Sequence, residues 1–238
     1  MGTLEKTVIV LLPGMDGTGE LLRTLADQLS VHRPVQLIGY PVDRALTYEQ
    51  LVPYVRARVP HDRFVILGES FSGPIAIEIA ATDPRIAGLV LASSFARHPL
   101  PTQIAPFARL LDLRWIPTSI VVAALMGSAA TPKLRVHLRQ VLATLPREII
   151  RTRAQEVLRV DKRSRLHEIK CPVLCLHGRS DRLVSKRRVD EIVGALADCQ
   201  LRWLNSSHML LATHAEAAAS IIEDFCGLHD KAAGLDIP

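Results

Sequence analysis

One serine in this chain lies in a setting that suits a nucleophile. In Phe64-Val65-Ile66-Leu67-Gly68-Glu69-Ser70-Phe71-Ser72-Gly73-Pro74 an apolar run leads straight into small residues, and a helical pattern follows from Ile75. Phe64 to Leu67 reads as a short strand buried on both faces. Gly68, Ser72 and Gly73 leave room for a sharp strand-to-helix turn. Such a turn holds the Ser70 oxygen at a helix N-terminus, where backbone N–H groups favour developing negative charge. The chemistry this suits is acyl transfer through a covalent intermediate, which also needs a base and a group to orient it. The plain alternative is an ordinary strand-turn-helix with a polar turn.

Candidates for both partners stand further along. Cys171-Pro172-Val173-Leu174-Cys175-Leu176-His177-Gly178-Arg179-Ser180-Asp181 reads as a strand running into a loop, and Asp181 is placed to orient an imidazole and stabilise its charged form. Leu201-Arg202-Trp203-Leu204-Asn205 is the last strand candidate, and His208 follows it closely. His214 is the competing base, at the start of the closing helix. His177, at a strand end before the acid loop, reads as structural.

The elements that must position these residues alternate. Strands are expected at Thr7–Leu12, Val35–Gly39, Phe64–Leu67, Gly88–Ser93, Pro172–His177 and Leu201–Asn205. Helices are expected at Glu20–Ser30, Thr47–Val59, Gly73–Thr82, Val189–Leu196 and Ala215–Cys226. Alternation of this kind implies a parallel sheet with helices on both faces, and ligands bind beyond the C-terminal strand ends. After Phe95 the alternation stops. From Arg97 to Arg165 only helical patterns broken by prolines appear, with an apolar set Ile104, Phe107, Leu110, Leu111, Val121, Val122, Leu125 and Met126. That set suits either an acyl chain or attachment of the segment to the body.

The 238 residues suffice for one α/β domain, and the 48% hydrophobic content is that of a globular core. No apolar run reaches the ~18 residues of a membrane span, and no signal-peptide layout opens the chain. Cys171, Cys175, Cys199 and Cys226 have no metal spacing with histidine. Cys171 and Cys175 fall in one expected strand, and all four read as reduced thiols in a cytoplasmic protein. The net charge of +5 is concentrated in residues 97–170, which hold 14 Lys/Arg against 5 Asp/Glu. Solvated helix faces explain this, as does attraction of an anionic partner such as an acidic carrier protein. Nucleic acid is disfavoured, because the segment lacks interleaved aromatics and any binding motif.

The order Ser70, Asp181, His208, the glycine loop Leu12-Pro13-Gly14-Met15-Asp16-Gly17-Thr18-Gly19 and the break after Phe95 together resemble the α/β-hydrolase superfamily. Two positions depart from its pattern: Ser72 stands where Gly-x-Ser-x-Gly has its second glycine, and Pro13 replaces a histidine. The resemblance implies an α/β-hydrolase fold with a mostly parallel sheet of about six strands and the usual leading antiparallel strands reduced or absent. It divides the chain into a core, 1–96 and 166–238, and a helical cap inserted at 97–165. It also implies Ser70 as nucleophile, His208 as base, Asp181 as orienting acid, and an oxyanion hole from the backbone N–H groups of Met15 and Phe71. Phe95, Leu125 and Met209 are expected to touch substrate, and no metal or cofactor is called for.

Within the superfamily the chain is similar to small capped carboxylesterases, among them the pimeloyl-acyl-carrier-protein methyl ester esterase. The glycine loop and Gly-Glu-Ser-Phe also resemble plastid acyltransferase-like hydrolases. The activity implied is hydrolysis of short-to-medium acyl esters. A carrier-linked ester or thioester, an acyltransferase or lyase, and finally a non-catalytic binding protein are the alternatives.

Overall fold

The sheet is built from apolar runs too continuous to face water on either side. The computed structural model describes residues 6–99, 122, 125–127 and 130–233. Strand β3, Phe64–Glu69, is buried at all six positions, and β4, Ile86–Ala92, at all seven. β5, Val173–Gly178, is likewise buried throughout and β1, Val8–Leu12, at all but its first position, whereas β2, Val35–Leu37, and β6, Cys199–Leu204, are half-exposed edges. The order is β2-β1-β3-β4-β5-β6 and every pairing is parallel. This is the expected α/β-hydrolase fold with six parallel strands.

Alternate side chains on each strand feed two cores. Val10, Leu12, Phe64 and Ile66 pack on one face with α2 (Tyr48–Arg56) and α3 (Gly73–Thr82), which bring Leu51, Val55, Ile75 and Ile79. Ile9, Leu11, Val65 and Leu67 pack on the other with α1 (Arg23–Ser30), which brings Leu25 and Leu29. Burying Leu- and Ile-sized side chains contributes roughly 1.5–3 kcal/mol each, which makes these faces the main support of the site above them.

The segment after β4 holds α4 (Pro132–Thr144), α5 (Arg147–Arg159) and the short α6 (Arg163–Leu166). Thr131 caps α4 by accepting from the Leu134 N–H at 3.2 Å, with Pro132 in the first turn. The two ends of the segment meet: Arg97 and Asp161 form an antiparallel bridge, and the Lys162 N–H donates to the Ala96 carbonyl at 2.6 Å. Of the apolar set read from the sequence, Ile104, Phe107, Leu110, Leu111 and Val121 lie outside the described residues. Val122 and Met126 are buried with Leu138, Val141 and Met209, and Leu125 packs against them.

The chain closes with α7 (Lys186–Val193), α8 (Leu210–Thr213) and α9 (Ala215–Ala233). Helix α9 runs seven residues past the expected end at Cys226, through Gly227. Its stripe of Ala218, Ile222, Phe225 and Cys226 is buried, and the buried Arg33 bonds Glu223 at 2.7 Å and Asp230 at 3.1 Å. Those contacts outweigh the ~1 kcal/mol that a glycine costs within a helix. Strand β5 starts at Val173, so Cys171 precedes it. Cys175 instead faces Cys199 of the neighbouring strand, with the sulfurs 3.5 Å apart.

Candidate active site

The sheet reverses its direction of growth between β1 and β3, and the loops that leave those two adjacent strands diverge there. A crevice at the C-terminal strand ends is the expected binding place of such a sheet. The first loop carries Gly14 and Met15, and the second carries Ser70.

Ser70 has φ 46°, a left-handed conformation that a non-glycine residue adopts only when its surroundings impose it. The surroundings are specific. The Ser94 hydroxyl donates to the Ser70 carbonyl at 2.8 Å. Gly73 makes room for that contact, since a Cβ there would lie 1.6 Å from Ser94 Oγ. Gly68 lets β3 and α3 close on each other, because its Cβ would meet the Ser72 carbonyl at 2.8 Å and the Ala76 methyl at 2.9 Å. Ser72, in the position of the missing glycine, is fully buried and its hydroxyl is used. It donates to the Pro13 carbonyl and pairs with the Tyr40 hydroxyl, tying the elbow to the first loop.

The three residues separated by up to 138 positions come together in one relay. Ser70 Oγ lies 2.7 Å from His208 Nε2, and His208 Nδ1 lies 2.8 Å from Asp181 Oδ2. The Asp181 and His208 side chains are 2% and 6% exposed. Burial pushes the Asp181 carboxyl up, but the bond from His208 and those from the Val184 and Leu183 N–H groups outweigh it and hold the group below its usual range. An ionised Asp181 accepts a hydrogen bond from Nδ1–H, which leaves Nε2 free to accept from the Ser70 hydroxyl. His214 takes no part: its Nδ1 pairs with Thr213 Oγ1 at 2.9 Å. His177 is fully buried, and neither ring nitrogen has a hydrogen-bond partner among the described residues. Burial lowers it to about 4, so it is neutral at ordinary pH.

Each peptide flanking the Met15 N–H is pinned. The Pro13 carbonyl is held by Ser72, the Gly14 N–H donates to Glu69 Oε2 at 3.2 Å, and the Gly17 N–H donates to the Gly14 carbonyl at 3.1 Å. Arg153 of α5 holds the Met15 carbonyl at 2.9 Å and the Asp16 carbonyl at 2.7 Å. On the other side, Tyr48 stacks on Phe71 with ring centroids 4.7 Å apart and donates its hydroxyl to the Phe71 carbonyl at 2.8 Å. Burial, and then the nearby Asp16 carboxylate, push Glu69 up to about 7. Sequence reasoning missed Glu69, Tyr40, Tyr48 and Arg153.

The expected substrate contacts separate into two groups. Leu125 and Met209 adjoin each other next to His208, the Met209 N–H donating to the Leu125 carbonyl at 3.0 Å. Phe95 is 3% exposed and belongs to the same core cluster as Phe71. Several cations of the basic segment are engaged by the body: Arg97 pairs with Glu191 and Lys162 with Glu78 at 2.7 Å each, and Arg165 with Glu78 at 3.1 Å. Among the described residues no group of three or more His, Cys, Asp or Glu side chains is placed to hold a metal ion. No helix among them is long and apolar enough to cross a membrane.

Residues 47–212 match the model of a hydrolase family described as serine aminopeptidase, S33. The chain belongs to this family. The matched span contains Ser70, Asp181 and His208 and begins after the Gly14–Gly19 loop. As an S33-family chain it is a hydrolase of the α/β-hydrolase superfamily. No curated protein matches it by sequence. Its fold is shared with solved structures of low identity. The enol-lactonase from Burkholderia xenovorans is 20% identical, with a TM-score of 0.76 over 94% of this chain and 92% of that one. An esterase from Exiguobacterium antarcticum is 14% identical, with a TM-score of 0.81 over 93% and 92%. A thermophilic esterase from Thermogutta terrifontis is 17% identical, with a TM-score of 0.76 over 94% and 90%.

Proposed function

We propose that this S33-family protein is a serine carboxylic ester hydrolase that acts on short-to-medium acyl esters through an acyl-enzyme. The observation that carries this reading is the Ser70–His208–Asp181 relay, with contacts of 2.7 and 2.8 Å beneath a Ser70 held at φ 46°. His208 Nε2 takes the hydroxyl proton as Ser70 Oγ attacks the acyl carbonyl. Asp181 keeps the imidazole in the tautomer that can accept, then stabilises the imidazolium. The N–H groups of Met15 and Phe71 receive the negative charge of the tetrahedral oxygen. Collapse breaks the bond to the alkoxy oxygen, which leaves with the proton from His208. Water then attacks the acyl-enzyme by the same steps in reverse. The chemistry needs no cofactor.

Esters, rather than the peptides of the family's description, are favoured by the esterases and the lactonase that share its fold. The acyl group lies against Leu125 and Met209, beside the apolar cluster of Val122 and Met126. In this reading the insertion after β4 serves as a cap, and the Arg97–Asp161 bridge ties its described ends together. The substrate is a small molecule. A carrier protein draws less support, because Arg97, Lys162 and Arg165 are committed to carboxylates of the body.

The test is turnover of p-nitrophenyl esters from acetate to palmitate beside aminoacyl p-nitroanilides, in wild type and Ser70→Ala. Ester turnover that is highest at short or medium chains and lost in Ser70→Ala is expected. Anilide turnover without ester turnover, or ester turnover that survives Ser70→Ala, would overturn the proposal.

A further inference from the structure

Helix α5 buries a charge on its apolar stripe. Its buried positions are Ile149, Arg153, Ala154 and Val157, so an arginine occupies the i+4 place between Ile149 and Val157 where an aliphatic residue belongs. Arg153 is 2% exposed. It forms no ion pair among the described residues, and its hydrogen bonds run to three carbonyl oxygens: Met15 at 2.9 Å, Asp16 at 2.7 Å and Pro41 at 3.1 Å. Gly17 is shaped around it. That residue has φ 69°, and a Cβ there would lie 2.3 Å from Arg153 Nη1. One turn further along α5, Glu156 accepts from the Tyr48 N–H at 2.7 Å, and Tyr48 in turn holds the Phe71 carbonyl.

We infer that Arg153 is a positioning residue for the oxyanion hole, acting from the helix outside the sheet to fix the Met15 and Asp16 carbonyls that follow the Met15 N–H, and so the direction in which that N–H faces the tetrahedral adduct formed at Ser70 Oγ. A loop with glycines at 14, 17 and 19 does not hold a peptide plane unaided. The guanidinium offers a rigid fork of donors, and two of its bonds fall on consecutive carbonyls, which fixes the direction of that stretch of backbone. An ammonium at the same place reaches fewer carbonyls and imposes no plane. Because α5 lies within the segment inserted after β4, the same contact links that segment to the chemistry.

This inference rests on the serine-hydrolase reading of the site but not on esters being the substrate. Its test is therefore the rate at which a fluorophosphonate phosphonylates Ser70, a reaction in which Ser70 Oγ displaces fluoride and the phosphonyl oxygen occupies the oxyanion hole. Wild type, Arg153→Met, Arg153→Lys and Ser70→Ala are compared, with unfolding midpoints measured for each. Arg153→Met is expected to slow labelling about ten- to a hundredfold, the range below the loss of a complete oxyanion donor. Its pH profile is expected to stay that of wild type, since the relay is untouched, and millimolar guanidinium is expected to restore part of the rate. Arg153→Lys, which keeps the charge and is the more conservative change for folding, is expected to be slowed by a smaller factor. Labelling of either variant at the wild-type rate would overturn the inference. So would a slowed rate with a shifted pH profile, or one that guanidinium does not restore. Absence of labelling in wild type would overturn the serine-hydrolase reading itself, and labelling without ester turnover would overturn only the choice of esters.

Discussion

Glu69 precedes the nucleophile and gives a prediction that depends on one buried proton. Glu69 is 6% exposed, and its carboxyl accepts from the Gly14 N–H. A Cβ placed on Gly14 would lie 3.4 Å from Glu69 Oε2 and 3.7 Å from Asp16 Oδ1, so two carboxyl groups flank one residue of the loop. Burial first, and Asp16 second, raise Glu69 from its ordinary 4.5 to about 7, while His208 and the Gly14 N–H pull it back by less. The folded protein thus holds a proton that the unfolded chain releases at lower pH. The resulting stabilisation is fully present below pH 4.5 and is lost as the pH rises through 7, a change of order 3 kcal/mol. Glu69→Gln keeps an acceptor for the Gly14 N–H and removes the titration. Urea unfolding of both proteins between about pH 5 and pH 8 should therefore show the variant gaining on wild type by about 2.5 kcal/mol as the pH rises. A stability difference that does not change with pH would refute the reasoning, since Glu69 would then titrate alike in both states.

Further outcomes are expected. Ser72→Ala strands the Pro13 carbonyl and the Tyr40 hydroxyl and should lower stability by about 1–3 kcal/mol, while Ser72→Ala with Tyr40→Phe should cost less than the sum of the two changes, as read by urea unfolding. Turnover should survive Ser72→Ala. Gly73→Ala drives a methyl group into Ser94 and should cost about 3 kcal/mol by the same unfolding measurement, with loss of Ser70 labelling. Asp181→Asn should lower kcat about 10⁴-fold, and His208→Ala by at least as much, the two not adding in the double variant. His214→Ala should leave kcat near the wild-type value.

Much of the fold follows from patterns that short windows of sequence contain. A strand buried on both faces is a continuous apolar run, and the runs of β1, β3, β4 and β5 were therefore legible, with ends displaced by one or two residues. The relay was legible for a related reason: strand ends and chain order mark Ser70, Asp181 and His208 without any knowledge of what packs between them. The supporting contacts were not. Ser72 reads as an exception to a glycine pattern until Tyr40, 32 positions away, and Pro13, 59 away, are seen to use its hydroxyl. Arg153 left a trace, because it interrupts the apolar stripe Ile149–Val157, but in a segment so rich in arginine it reads as part of a solvated face. Glu69 is an ordinary carboxylate in sequence, and only its burial beside Asp16 makes it titrate near neutrality. The length of α9 depended on Arg33, whose contacts with Glu223 and Asp230 carry the helix beyond Gly227.

The central claim is that Ser70 is a nucleophile activated by His208, and covalent capture tests it most directly. The protein is treated with a fluorophosphonate, digested, and the modified peptide identified by mass, with Ser70→Ala and His208→Ala alongside. The account predicts one phosphonylated residue, Ser70, in wild type, and loss of labelling in both variants while each remains folded. Labelling at another serine, or labelling of Ser70 that is unaffected by His208→Ala, would contradict it.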